Sequence, residues 1–225
     1  MIAPVAAIDQ TQTARPVRGR RSARTSGDER ERAILQTAEE LLRERSLSDI
    51  AVDDLARGAG ISRSTFYFYF PSKDAVVLTL IDHMVEEAAI DRDEALAELA
   101  ADPRTRLRRA LEDYYEIFRA RRAVILAGAE LRATNAEARA AWSQIMDGWV
   151  ADTTAIVEAE RDRGAAPVGL PARDLAVALL QMNERVQQAV FAGEAPALHE
   201  DSVIDVLVEI WLRAIYGTTD PTSVA

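Results

Sequence analysis

Arg63, Ser64, Thr65 and Tyr67 bring a guanidinium and three hydroxyls together within five consecutive positions. At about 3.6 residues per helical turn, Arg63, Ser64 and Tyr67 share one side of a short helix while Phe66, Tyr69 and Phe70 share the other. A buried face and a hydrogen-bonding face therefore separate, with Tyr69 on the border. A guanidinium near a helix N-terminus can donate two hydrogen bonds to guanine in the major groove, and hydroxyls serve several base edges. Tyr69 and Lys73 follow one to two turns later, where side chains and the start of the next helix can meet phosphate oxygens. The same spacing also suits an aromatic core helix whose arginine is merely solvated.

A second set of residues lies far along the chain. Trp142, Met146, Trp149 and Thr153 recur at i, i+4, i+7 and i+11, which puts two indoles, a thioether and a hydroxyl on one helical face. Tyr114 and Phe118 form another such pair. An apolar face of this kind is either ordinary core or the wall of a small-molecule cavity. Asn183 and Glu184 follow the apolar run Leu175 to Leu180, in a helix expected to pack inside the protein, so their polar groups require partners. A ligand's polar group and a side-chain network with Arg185 or a neighbouring helix would both meet that requirement.

Catalytic readings find less support. His83 and His199 lie on different expected helices, and neither has a carboxylate at metal-ligand spacing. Gly58-Ala59-Gly60 lacks the third glycine and the preceding strand of a phosphate-cradling loop. The absence of cysteine removes disulfides, thiolate metal sites and thiol nucleophiles. Glu130, Asp152 and Glu184 could be assembled into an acid–base pair, but no nucleophile accompanies them. No enzyme, cofactor or metal is expected.

Local signals specify the elements that hold these groups. Ser26 and Glu29 make a capping-box pattern ahead of the stripe Ile34, Leu35, Ala38, Leu41 and Leu42, which predicts a first helix from about Asp28 to Glu44. A short helix from Val52 to Ala59 ends at Gly60, and Ser62 can cap the next one, Arg63 to Tyr69. Pro71 stops that helix and Ser72 caps a long successor carrying Val77, Leu80, Ile81, Met84, Val85 and Ala88. Further boundaries fall at Asp102-Pro103, a Thr134 to Glu137 capping box, Gly164 to Pro171 and Gly193 to Pro196. No run alternates with a period of two between turn signals, so the expected fold is all-α. In the last helix Val203, Leu207, Ile210 and Ala214 form one stripe that Val206, Trp211 and Ile215 widen, as a helix buried on two faces requires. That pattern suits a subunit interface or a central helix covered by its own chain.

Charge divides the chain along the same line. The formal net charge is −10, yet residues 1–73 carry 12 basic and 10 acidic side chains, whereas residues 74–225 carry 15 and 27. Arg15, Arg18, Arg20, Arg21 and Arg24 form a basic arm without acids, which suits phosphate binding. Thr11 to Ser26 lacks apolar periodicity, so residues 1–26 are expected to be disordered. Met1 to Gln12 lacks the pattern of a signal peptide, and no apolar run reaches the ~20 residues of a membrane span. A cytoplasmic, nucleoid-associated protein is expected.

Asp53-Asp54-Leu55-Ala56, Gly58 to Ser62, Thr65-Phe66-Tyr67, Phe70 and Ser72-Lys73-Asp74 resemble the N-terminal signature of the TetR family of bacterial regulators. Similarity to one member continues over nearly the whole chain after residue 18, through Ala159 to Pro167, Met182 to Arg185 and Ile215-Tyr216-Gly217. The resemblance implies about nine helices: a three-helix DNA-binding head over residues 27–73, a six-helix ligand-binding and dimerisation body over 74–217, and a tail over 218–225 expected to be disordered. It also implies a homodimer joined by its last two helices, bound to palindromic operator DNA and released by a lipophilic effector. The implied channel is long and apolar, with Tyr114, Phe118, Trp142, Met146, Trp149, Thr153, Asn183, Glu184 and Trp211 in its wall. Leu107, Asp152, Leu180 and Gln188 depart from that relative's lining, and Ala51 stands where many members have Thr or Ser. An architectural DNA-binding dimer without a sensor is the alternative.

Overall fold

The computed structural model describes residues 19–97 and 102–221. These residues form nine α-helices and contain no strand: α1 Gly19–Glu44, α2 Val52–Gly58, α3 Arg63–Tyr69, α4 Lys73–Ala97, α5 Pro103–Ala120, α6 Arg122–Thr134, α7 Ala136–Asp162, α8 Ala172–Ala192 and α9 Val203–Tyr216. Among the described residues no helix is long and apolar enough to cross a membrane, and no cluster of potential metal ligands occurs.

Most helix ends follow from their capping chemistry. Ser62 caps α3 by accepting from the Thr65 amide, and the Ser72 hydroxyl accepts from the Ala75 amide at the start of α4. Asp102 caps α5 with Pro103 in its first turn. At α2 the Ala51 methyl offers no acceptor, and the Asp54 carboxylate reaches back to the Ala51 amide instead, at 3.1 Å. That bond, opposed by slight desolvation and helped by Arg45 and Arg57, holds the Asp54 carboxyl below its usual pKa.

Four boundaries differ from the expectations. α1 begins at Gly19, because Arg20 to Ala23 contain no helix breaker and Arg and Ala are strong helix formers; of the arm expected to be disordered, residues 1–18 lie outside the described residues. The cap of α7 is Asn135, which accepts from the Glu137 and Ala138 amides, while the Thr134 hydroxyl turns back to the Leu131 carbonyl. α5 and α6 part at Arg121, a break without glycine or proline, fixed by the Arg121 guanidinium bonding Glu39 of α1 at 2.7 Å and Glu87 of α4 at 2.7 Å. The tail is held as far as Pro221, since Arg104 donates to the Thr219 carbonyl at 2.8 Å and Pro221 is buried.

Two apolar clusters organise the interior. One joins Ile34, Ala38, Leu55, Phe66, Phe70, Val76 and Leu80 of α1 to α4 with Val124, Ala127 and Leu131 of α6. The head core therefore continues past residue 73, and α6 is one of its walls. Two close approaches permit this. A Cβ at Gly58 would collide with the Thr37 methyl of α1, and one at Gly128 would meet the end of Ile81 at 2.7 Å. The second cluster packs Leu111, Val157, Leu175, Leu179, Leu207, Val208 and Leu212 of α5, α7, α8 and α9.

The second cluster is pinned by a buried carboxylate. Glu160 of α7 accepts from Arg106 of α5 at 3.0 Å, from the Tyr216 hydroxyl of α9 at 2.8 Å, and from Arg163. Burial by itself would raise its pKa, but the bonds from Arg163, Tyr216 and Arg106 outweigh burial and hold the carboxyl below its ordinary 4.5. A depressed carboxylate stabilises the fold fully above 4.5, and the contribution is lost as pH falls through the lower folded value. Glu160→Gln should therefore flatten the fall in melting temperature between neutral pH and pH below 4.5. A fall as steep as in the native chain would place the acid sensitivity elsewhere.

Candidate functional site

The turn between α2 and α3 sets the first site. Gly60 adopts φ +67°, a left-handed conformation that disfavours side chains, and the Ile61 amide returns to the Ala56 carbonyl at 2.9 Å. Helix α3 then buries Phe66 and Phe70 and leaves Arg63, Ser64 and Tyr67 exposed, with Thr65 and Tyr69 half-buried. The face expected to carry hydrogen-bonding groups is thus open. Ser62, Ser64 and Thr65 share hydroxyl contacts of 2.8 to 2.9 Å around the N-terminus of the helix.

Arg63 is the best-defined group on this face. Its guanidinium bonds Asp53 of α2 at 3.0 Å and the Tyr67 hydroxyl at 3.3 Å, and lies 5.7 Å from the centre of the Tyr67 ring. The Tyr67 hydrogen bond, followed by the Asp53 charge, moves its pKa further above the usual arginine value. A permanently charged fork thus stands pre-aimed at the N-terminal end of α3, held by groups that a base edge can replace.

Two residues differ from their expected roles. Lys73 is half-buried, and its ammonium donates to the Leu47 carbonyl at 2.7 Å, the Ile50 carbonyl at 2.8 Å and the Ser48 carbonyl at 3.4 Å. It clamps the 3-10 turn Leu47–Asp49 that leads into α2, a role absent from the sequence expectation of a phosphate contact, and in the free chain three carbonyls use its three donors. Phe68, absent from the expected reading face, is 82 % exposed and packs edge-on against Tyr69. The signal for it was present, since six consecutive residues rich in aromatic rings cannot all enter the core of one short helix.

The second site is a cleft among α5 to α8. Tyr114 and Phe118 of α5 stack at 4.1 Å, Trp149 of α7 stands edge-on to Tyr114 at 5.3 Å, and Trp142 meets Trp149 at 5.8 Å. Beside this cage Arg132 of α6 binds Glu184 of α8 at 2.6 Å and lies 4.3 Å over the Trp142 ring. Ile125 and Ala129 of α6 and Gln187 and Gln188 of α8 complete the lining. The space left between the side chains holds only about one water molecule. Burial, reinforced by the Glu184 charge and opposed by Arg132, pushes the Tyr114 hydroxyl far above its ordinary pKa, so it stays protonated.

Of the expected wall, Tyr114, Phe118, Trp142 and Glu184 line the cleft and Trp149 supports them from behind. Met146, Thr153, Asn183 and Trp211 are not part of the lining. Asn183 accepts from the Trp211 indole at 3.0 Å, a buried bond between α8 and α9. Glu184 is paired with Arg132, so these polar groups find partners within the chain, and Arg185 turns to Glu194 instead. In this cleft the aromatic rings pack on one another and leave little open space. Arg132 and Gln187 were missed; two adjacent amides, Gln187 and Gln188, within the apolar run Val186 to Val190 were the available signal.

An open helix-turn-helix packed onto a helical body with an aromatic cleft is the plan of a DNA-binding transcription regulator. The family described as "Bacterial regulatory proteins, tetR family" matches residues 34–80, and "Transcriptional regulator EthR, C-terminal domain" matches residues 107–217. The chain belongs to the TetR family. It is 54% identical over 205 residues to the HTH-type transcriptional regulator EthR of Mycobacterium tuberculosis, covering 89% of this chain and 93% of that one. EthR of Mycolicibacterium smegmatis is 49% identical over 208 residues, covering 92% and 95%. A solved regulator from Saccharomonospora viridis in complex with choline superposes with a TM-score of 0.67 at 25% identity, covering 80% of this chain and 94% of that one.

Proposed function

We propose that the chain is a ligand-responsive repressor that binds a palindromic operator as a homodimer in the cytoplasm and is released by a lipophilic small molecule. Arg63, Ser64, Thr65 and Tyr67 read base edges, Phe68 meets thymine methyl groups, and Tyr69 with the arginines before Thr25 contacts phosphates. Paired recognition helices one DNA turn, ~34 Å, apart give the selectivity that one short helix lacks. Val206, Ile210 and Ala214 leave an incompletely covered face on α9, which supports pairing through the last two helices.

The observation that carries the regulatory part is the double role of α6. Ile125, Ala129 and Arg132 line the cleft, while Val124, Ala127 and Leu131 belong to the head core. From the same helix the Glu130 carboxylate accepts from the Leu47 amide at 3.1 Å and the Ser48 amide at 2.9 Å. The turn ahead of α2 is therefore gripped by Glu130 through its N–H groups and by Lys73 through its carbonyls. A ligand that displaces α6 changes the seat of the helix-turn-helix.

Gel shifts on DNA from upstream of the chain's own gene, titrated with a panel of lipophilic compounds, test this. A coupling of about 1 to 3 kcal/mol predicts a 5- to 150-fold loss of operator affinity with an effective ligand. Glu130→Ala should leave ligand binding intact and bring that loss close to one-fold. The nearly filled cleft favours a second reading, an architectural dimer without a sensor, and binding to DNA with little sequence preference and no ligand response would establish it.

A further inference from the structure

Gln187 is 2 % exposed, and neither its amide nitrogen nor its amide oxygen has a hydrogen-bond partner. The indole nitrogen of Trp142 is likewise buried and unpartnered. Both side chains line the aromatic cleft. Two unpartnered donor nitrogens and one acceptor therefore belong to side chains that line one small space, although buried polar groups are almost always paired. The two charged groups of the cleft wall, Arg132 and Glu184, neutralise each other, and its other polar groups, the Tyr114 hydroxyl and the Gln188 amide, are neutral. The cleft thus offers no net charge to an ionic ligand, and a neutral one with an adjacent donor and acceptor completes it.

We infer that the effector site selects neutral aromatic or apolar molecules carrying a secondary amide, with Gln187 as the residue that determines this preference. The ligand carbonyl accepts from the Gln187 nitrogen and from the Trp142 N–H. The ligand N–H donates to the Gln187 oxygen, and the apolar remainder displaces the rings of Tyr114 and Phe118 from one another. The inference rests on the ligand-responsive reading above and specifies the chemistry of that same cleft.

The test compares N-benzylhexanamide with its ester isostere, benzyl hexanoate, by titration calorimetry on the full-length chain. The ester keeps the carbonyl and the shape but loses the donor, so it leaves the Gln187 oxygen unpaired. The amide should bind the native chain about 10-fold more tightly or better. Gln187→Met, which fills a similar volume without polar atoms, should bind the ester at least as well as the native chain does and should show no amide preference. Equal affinities in the native chain, or a preference that survives in Gln187→Met, would overturn the inference. The native comparison decides the matter even if the variant fails to fold. If neither probe binds while other members of the lipophilic panel do, the amide inference falls and the regulatory reading stands; if no member binds, the regulatory reading falls with it.

Discussion

Replacing Arg63 with Ala should weaken binding to the cognate operator by about 1 to 3 kcal/mol and relax the preference at one base pair of each half-site. The direction follows from the loss of a pre-aimed guanidinium, and the magnitude is limited because that group must first leave Asp53, 3.0 Å away in the free head. Asp53 provides the control. In Arg63→Ala its carboxylate stays beside the reading face and repels phosphate, whereas Asp53→Asn removes the competitor and should tighten binding. Fluorescence anisotropy with single-base operator variants measures both. Equal affinity of Arg63→Ala for native and base-substituted operators, with no loss at the native sequence, would remove Arg63 from the reading face.

Lys73→Met should lower the stability of the head by about 1 to 3 kcal/mol, because it orphans carbonyls of Leu47 and Ile50 that are partly buried. For a chain of this size each kcal/mol corresponds to roughly 2 to 4 °C in melting temperature. Lys73 is the only lysine in the sequence, and every other permanently basic side chain is arginine. A compact ammonium with three rotatable donors suits three converging carbonyls better than a planar fork does. Operator affinity should fall for all sequences alike, while its dependence on salt keeps the native slope. An unchanged melting temperature with a shallower salt slope would return Lys73 to the phosphate backbone.

The head was legible in the sequence because its geometry rests on residues with few alternative uses. Gly60 must turn, Ser62 and Ser72 must cap, and Phe66 and Phe70 must be buried at helical spacing, and the structure places all of them accordingly. The junction at Arg121 was illegible for the opposite reason. It depends on Glu39 and Glu87, 82 and 34 residues away in the chain, and no local pattern encodes such pairings. Asn135 prevailed over Thr134 as the cap of α7 by one residue, a difference that depends on where α6 ends.

The cleft was half legible. Helical spacing correctly put Trp142 and Trp149 on one face, where they meet at 90°. The spacing could not say which neighbour that face would meet. Trp211 and Asn183 both looked like cavity residues, and they satisfy each other across α8 and α9. Arg132 was overlooked because a charged residue near a helix end usually faces solvent, whereas here the Trp142 ring and Glu184 draw it inward.

Because α6 is a wall shared by the cleft and the head core, drift in ligand preference is not equally free on all sides of the cleft. Under the proposed function, a substitution at Ile125, Ala129 or Arg132 should alter the seat of the reading helix together with the ligand, and so change basal repression before any new compound is encountered. Helix α8 contributes Gln187 and Gln188 to the lining but nothing to the head core. New inducer specificities are therefore best sought by randomising α8, with α6 left as it stands.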